Sequence, residues 1–93
     1  MEKPGLTGSQ IRAARALLRW SSAELAEAAG IGVATIRRAE AKDGQVAMIR
    51  ANVAAVERAL AKAGVELIRE NYGGVGVRFR RKQERRKRRA TPD

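Results

Sequence analysis

The residues best suited to chemistry in this sequence are arginines, and they form two clusters. Arg37 and Arg38 stand side by side in the segment ATIRRAEA, and residues 78–89 read RFRRKQERRKRR. The second cluster holds nine of the 20 basic residues and one acidic residue, so it carries +8 of a net charge of +10. A guanidinium is permanently charged and donates hydrogen bonds in a planar fork that fits phosphate. The clusters therefore predict a polyanionic partner, with nucleic acid favoured over an anionic membrane surface.

The composition argues against several classes of protein. The chain has neither cysteine nor histidine, which removes disulfides, thiolate metal sites, the usual zinc ligand and the usual general base. No carboxylate cluster stands out, so we expect no enzyme, no metal and no cofactor. No apolar run approaches the roughly 18 residues that span a bilayer, and no signal peptide is visible. We therefore expect one small cytoplasmic, nucleoid-associated domain with no membrane partner.

Four helices are predicted to position the first cluster. Apolar residues at helical spacing place these helices over about residues 8–19, 23–29, 33–41 and 50–63. Ser21 and Ser22 supply an N-cap for the second helix, and Gly30 ends it because glycine accepts a positive φ. Residues 45–49 have no clear assignment. The adjacent arginines fall on the third helix.

After the fourth helix, the spacing of the apolar residues changes from that of a helix to the alternation that is typical of a strand. VELI and VGVRF are rich in β-branched residues and partly alternate, which predicts a hairpin with strands near 65–69 and 75–80. Val75, Val77 and Phe79 would share one face, which must pack on something because a two-stranded hairpin is marginal alone. Two arrangements stay open. The hairpin covers the fourth helix of its own subunit, or it pairs across a dimer through an open edge.

The sequence predicts four segments along the chain. They are a flexible arm at 1–7, a helical domain at 8–64, a hairpin extension at 65–80 and an Arg/Lys-rich tail at 81–93. The tail cannot bury apolar surface, so we expect it to be disordered without a partner. Its Arg81, Lys82, Arg85 and Arg86 are predicted to contact DNA phosphates without sequence preference. RNA binding, docking of an acidic protein and a solubilising role stay open for this tail.

The segment LAEAAGI…TIRRAE places a tight turn at Gly30 between two short helices. This spacing resembles a helix-turn-helix, and residues 9–63 resemble the lambda-repressor-like (Xre-type) family of DNA-binding domains. The residues that carry the resemblance are Gln10, Arg15, Leu18, Ser22, Leu25, Ala26, Gly30, Ile31, Thr35, Ile36 and Glu40. Two positions depart from the family pattern: Gly32 stands where a capping Ser or Thr is common, and Ala39 where a larger apolar residue is common. The resemblance implies a mainly α fold, a compact four-helix lambda-repressor-like domain followed here by the hairpin and the basic tail.

The resemblance also implies a binding site on the third helix. In this family the outward face of that helix enters the major groove of DNA. The positions implied to contact bases are Val33, Ala34, Arg37 and Arg38, and those implied to bond phosphates are Ser22 and Thr35. An Arg there can donate two hydrogen bonds to guanine, and a small apolar residue can touch a thymine methyl. An ordinary solvated face is the competing interpretation of the two arginines.

Arg15 and Glu40 fall on the apolar faces of the first and third helices, although both are charged. Opposite charges on apolar faces suggest that each is the partner of the other. The family often has such a pair, which would fix the docking of the third helix on the first. The competing interpretation makes Arg15 a phosphate contact.

The function that these residues predict is sequence-specific binding of double-stranded DNA. We expect a dimeric transcriptional repressor that acts by occupying an operator, because such domains usually read two half-sites related by a two-fold axis. The alternative is an antitoxin or anti-activator-like protein, in which the hairpin or the tail holds a protein partner while the helix-turn-helix autoregulates.

Overall fold

In the computed structural model, which describes residues 5–70 and 73–81, four helices precede a two-stranded antiparallel hairpin. The elements are α1 (Gly8–Leu18), α2 (Ser22–Ala29), α3 (Val33–Glu40), α4 (Arg50–Lys62), β1 (Val65–Ile68) and β2 (Gly76–Phe79). The predicted mainly α domain with a C-terminal hairpin is confirmed, and each predicted helix lies within one residue of its expected place. The first four residues of the predicted arm and the tail from residue 82 onward lie outside the described residues.

Side chains cap the first two helices, which explains where they begin. Thr7 accepts a hydrogen bond from the backbone N–H of Gln10, and the Gln10 side chain accepts one from the Thr7 N–H in return. Ser21 and Glu24 form the same reciprocal capping box at the start of α2. Each box satisfies two backbone donors that a helix start would otherwise leave without a partner. At the other end of α2, Gly30 takes the left-handed conformation with φ 73°, as expected for a glycine that ends a helix.

The hydrophobic core is formed by an apolar stripe of side chains from each helix. Its largest fully buried side chains are Leu6, Ile11, Leu25, Ile36, Val56, Leu60 and Val65. Leu6 belongs to the predicted arm, yet it is 1 % exposed, and its carbonyl accepts a hydrogen bond from the Val46 N–H at 3.0 Å. Thr7 also forms a β-bridge with Gln45. Residues 5–7, which the sequence assigns to a flexible arm, are thus anchored in the core by a large apolar side chain.

The hairpin packs on helices of its own chain. Val65 pairs with Phe79 and Leu67 with Val77, and these side chains face the core. The buried Gln10 side chain of α1 donates through Nε2 to the carbonyls of Ile68, at 3.1 Å, and of Gly76, at 3.0 Å. The hairpin therefore covers helices of its own subunit, and pairing of its open edge across a dimer stays a prediction.

The outward face of the hairpin is charged. Arg78 donates through Nε to Glu66 Oε1 at 3.0 Å across the strand pair. This hydrogen bond, with the charge of Arg78, holds the pKa of Glu66 below its usual value. Arg80 donates to the carbonyl of Ala61 at 2.6 Å, near the end of α4, where backbone carbonyls lack helical partners. Among the helices that the structure describes, none combines the length and apolarity needed to cross a bilayer.

Candidate nucleic-acid interface

Helix α3 has one face in the core and one in solvent. Ile36, Ala39 and Glu40 are buried. Ala34, Arg37 and Arg38 are exposed, and Val33 and Thr35 are half-buried at the boundary. Of the four positions predicted to contact bases, Ala34, Arg37 and Arg38 therefore share the exposed side of α3, whereas Val33 lies at its edge and packs partly against the core. We call this surface the reading face: Val33, Ala34, Arg37 and Arg38.

The inner side of α3 is tied to α1 by the charge pair that the sequence suggests. Arg15 Nε donates to Glu40 Oε2 at 2.6 Å, and Arg15 Nη2 donates to Glu40 Oε1 at 2.9 Å. This bidentate geometry is the strongest that a guanidinium and a carboxylate form. The side chains keep only 22 % and 10 % of their surface exposed, and Arg15 Nη1 also donates to the carbonyl of Trp20 at 2.9 Å. These contacts hold the partly buried Arg15 against Glu40 and the end of α1, where it fixes the docking of α3.

A second arginine of α1, which the sequence analysis did not single out, holds the end of α3. Arg12 donates through Nη1 to the backbone carbonyl of Glu40 and through Nη2 to Asp43 Oδ1, the latter at 2.6 Å. The carbonyl is one of those that a helix end leaves without a helical partner. The sequence feature that could have indicated this role is the spacing of Arg12 and Arg15, because residues three positions apart lie on the same side of a helix.

Gly8 allows α1 to start directly against the loop that follows α3. Its N–H donates to the carbonyl of Gly44 at 2.9 Å, and the Ser9 hydroxyl donates to the carbonyl of Asp43 at 3.1 Å. A Cβ placed on Gly8 would lie 1.8 Å from the Lys42 carbonyl oxygen and 2.5 Å from the Ala39 carbonyl oxygen. This position therefore has no room for any side chain. The sequence offered no signal for it, because the approach depends on tertiary packing.

The start of α3 carries no side-chain cap. Its N-cap residue is Gly32, and no side chain bonds the first backbone N–H groups. Gly32 and Ala34 are both exposed, and a Cβ at Gly32 would meet nothing within 4 Å. The absence of a side-chain cap at Gly32 leaves the backbone at this end of the reading face open to close approach.

The two residues predicted to bond phosphates have different surroundings. The Thr35 hydroxyl accepts a hydrogen bond from Arg38 Nη2 at 3.5 Å, beside the reading face, and its own proton remains available to a phosphate. The Ser22 hydroxyl donates to Glu40 Oε1 at 3.5 Å, so it is turned toward the Arg15–Glu40 pair. Of the predicted phosphate contacts in the tail, Arg81 is exposed, while Lys82, Arg85 and Arg86 lie outside the described residues.

A cleft of about 480 Å³ opens beside the C-terminal half of α3. It is lined by Thr35, Arg38 and Ala39 of α3, by residues 41–42 and 46–49 of the connecting loop and by Asn52 of α4. Ile49 on its rim is 67 % exposed. On this side the reading face is therefore bordered by a concave surface. Within residues 5–70 and 73–81, no group of three or more acidic side chains is placed to hold a metal ion.

Comparison of the sequence with protein-family models and with curated proteins finds no match. The geometry of α2 and α3 and the chemistry of their exposed side chains are therefore what bears on the function.

Proposed function

We propose that this protein is a sequence-specific double-stranded DNA-binding transcriptional regulator that acts by operator occupancy. One observation carries the proposal. Helix α3 presents Arg37 and Arg38 to solvent, while its opposite face is fixed on α1 by the bidentate Arg15–Glu40 pair. An exposed basic helix on a rigid support is what reading of a base sequence requires, because base contacts discriminate only when their geometry is held.

The dimensions of α3 suit the major groove of B-form DNA. A helix with its side chains is about 10–12 Å across, and the major groove is about 12 Å wide. The small side chain of Ala34 and the bare N-cap Gly32 let the start of the helix approach the base edges closely. The longer Arg37 and Arg38 follow one turn later. Because the side chains are small at the N-terminal end of α3 and long one turn later, the N-terminal end is expected to lie deepest in the groove.

A homodimer follows from the length of the reading helix. Eight residues make a helix about 12 Å long, which spans three to four base-pair steps of about 3.4 Å. So few base pairs recur too often in a genome to define an operator. Two copies bound to half-sites one helical turn apart would double the sequence that is read. We expect light scattering to detect a dimer on the operator and the operator to be a palindrome.

Replacing Arg38 by alanine is expected to weaken binding to the operator far more than binding to random DNA. The loss of one bidentate base contact costs about 1–3 kcal/mol of discrimination. The side chain is exposed, so the fold should be unaffected. Fluorescence anisotropy on an operator duplex and on a scrambled duplex measures the two affinities. The control is Arg58→Ala, which removes an exposed arginine of α4 that does not line the cleft beside α3. Equal losses on both duplexes would show that Arg38 touches phosphate only.

Removal of residues 81–93 is expected to lower the affinity for operator and random DNA by similar factors. Phosphate contacts carry no sequence information, and each one lost reduces the slope of log affinity against log salt by about 0.9. Titrations at several salt concentrations measure this slope for both chains. An antitoxin-like protein would instead keep its salt slope after truncation and lose a protein partner.

A further inference from the structure

The hydrogen-bonding groups on the outward side of α3 are nearly all donors. Arg37 and Arg38 present N–H groups only, and Val33 and Ala34 present none at all. Thr35 has a hydroxyl oxygen, but this oxygen accepts from Arg38 Nη2. No exposed Asn, Gln, Asp or Glu occurs within α3, the whole of which is described.

The one acidic residue of α3 does not lie on the reading face. Glu40 is 9 % exposed, and both of its carboxylate oxygens accept hydrogen bonds from Arg15. It therefore cannot accept a hydrogen bond from a base. One amide side chain lines the cleft beside α3, that of Asn52, which belongs to α4 and is half-buried.

We infer that the operator half-site is defined by guanines and thymine methyl groups, with no adenine or cytosine read through its amino group. This inference rests on the proposed function. In the major groove, guanine offers two acceptors, N7 and O6, whereas adenine offers N7 beside an N6 amino donor and cytosine offers an N4 amino donor. A protein surface that offers only hydrogen-bond donors matches the two acceptors of guanine. At adenine or cytosine, a donor of the protein would face the amino N–H of the base, and no hydrogen bond could form.

The order of side chains along α3 places the two kinds of contact. The apolar Ala34 and the exposed edge of the half-buried Val33 lie in the first turn, where they can touch thymine methyl groups. Arg37 and Arg38 lie one turn further along, and Thr35 restrains Arg38 through a weak hydrogen bond. Because adjacent residues on a helix point about 100° apart, the two arginines reach different bases and not one base together. Each half-site should therefore contain two separately read guanines.

Base analogues test this inference on the full chain. A duplex selected from a random pool is resynthesised with each guanine in turn replaced by 7-deazaguanine, which pairs normally but lacks the N7 acceptor. Matched duplexes carry 7-deazaadenine in place of adenine, or uracil in place of thymine to remove the methyl group. We expect two guanines per half-site at which the affinity falls about fivefold or more, the low end of what a bidentate base contact contributes. Substitution of adenine by its 7-deaza analogue should change the affinity less than twofold.

A protein variant assigns each guanine to its arginine. Arg38→Ala should bind equally well with and without N7 at one of the two guanines, and should still lose affinity when N7 is removed at the other. The inference is overturned if the selected consensus contains no sensitive guanine, or if 7-deazaadenine at any adenine lowers the affinity as strongly as 7-deazaguanine does at a guanine. Failure to select any consensus would be a different result, because it would refute the proposed function itself.

Discussion

Replacing Gly8 by alanine is expected to destabilise the fold by about 3 kcal/mol or more, as overpacking against a rigid neighbour does at its upper range. The new Cβ would lie 1.8 Å from the Lys42 carbonyl oxygen, and backbone cannot move aside as a flexible side chain can. Alanine gains at most about 1 kcal/mol of helix propensity over glycine, which does not offset the clash. Urea unfolding followed by circular dichroism measures the loss.

The matched control is Gly44→Ala, in the same contact region. Gly44 does not have a positive φ, and a Cβ there would meet nothing within 4 Å. This variant should unfold within a few tenths of a kcal/mol of the wild type. If Gly8→Ala proves as stable as Gly44→Ala, the close approach of α1 to the end of α3 is not present in solution.

Removing the carboxylate of Glu40 is expected to cost about 3 kcal/mol of stability, the low end of the range for breaking a buried ion pair, because Arg15 keeps 22 % of its side chain in water. In Glu40→Ala the Arg15 guanidinium would retain the Trp20 carbonyl but lose both bonds to a carboxylate. Desolvation without compensation is the source of the penalty. The shift in the midpoint of urea unfolding measures this loss of stability.

Two further variants test whether this penalty comes from burial of the pair. Glu66→Ala breaks the exposed pair with Arg78 and should leave the melting temperature close to that of the wild type, because surface ion pairs contribute little. Arg15→Ala combined with Glu40→Ala should cost less than the sum of the two single variants, because neither charge is then left alone. Strict additivity would mean that the two side chains do not interact.

Local signals in the sequence were enough to predict the helices. Capping residues such as Ser21, a terminating glycine at position 30 and helical spacing of apolar residues act within a few positions of one another. The hairpin was predictable for the same reason, since strand alternation is local. The burial of Leu6 was not predictable, because it depends on residues 45 and 46, some forty positions away along the chain.

The candidate site, like the fold, has parts that the sequence predicts and parts that it does not. The outward position of Arg37 and Arg38 follows from helical geometry once α3 is placed, and two opposite charges on apolar faces were enough to suggest the Arg15–Glu40 pair. Arg12, Gly8 and the orientation of Ser22 depend on how α1 meets the end of α3. Within the two helices only the spacing of Arg12 and Arg15 bears on that contact, so its geometry emerged only from the three-dimensional structure.

Selection of bound duplexes from a random DNA pool tests most directly whether α3 reads a base sequence. The full chain and its Arg37→Ala/Arg38→Ala variant are taken through the same rounds, with circular dichroism to verify that both are folded. We predict that the wild type enriches a recurrent palindromic sequence. The double variant should enrich none, although it still binds DNA through charge. Enrichment of no sequence by the wild type, or of the same sequence by both proteins, would contradict the proposal that α3 is a reading helix.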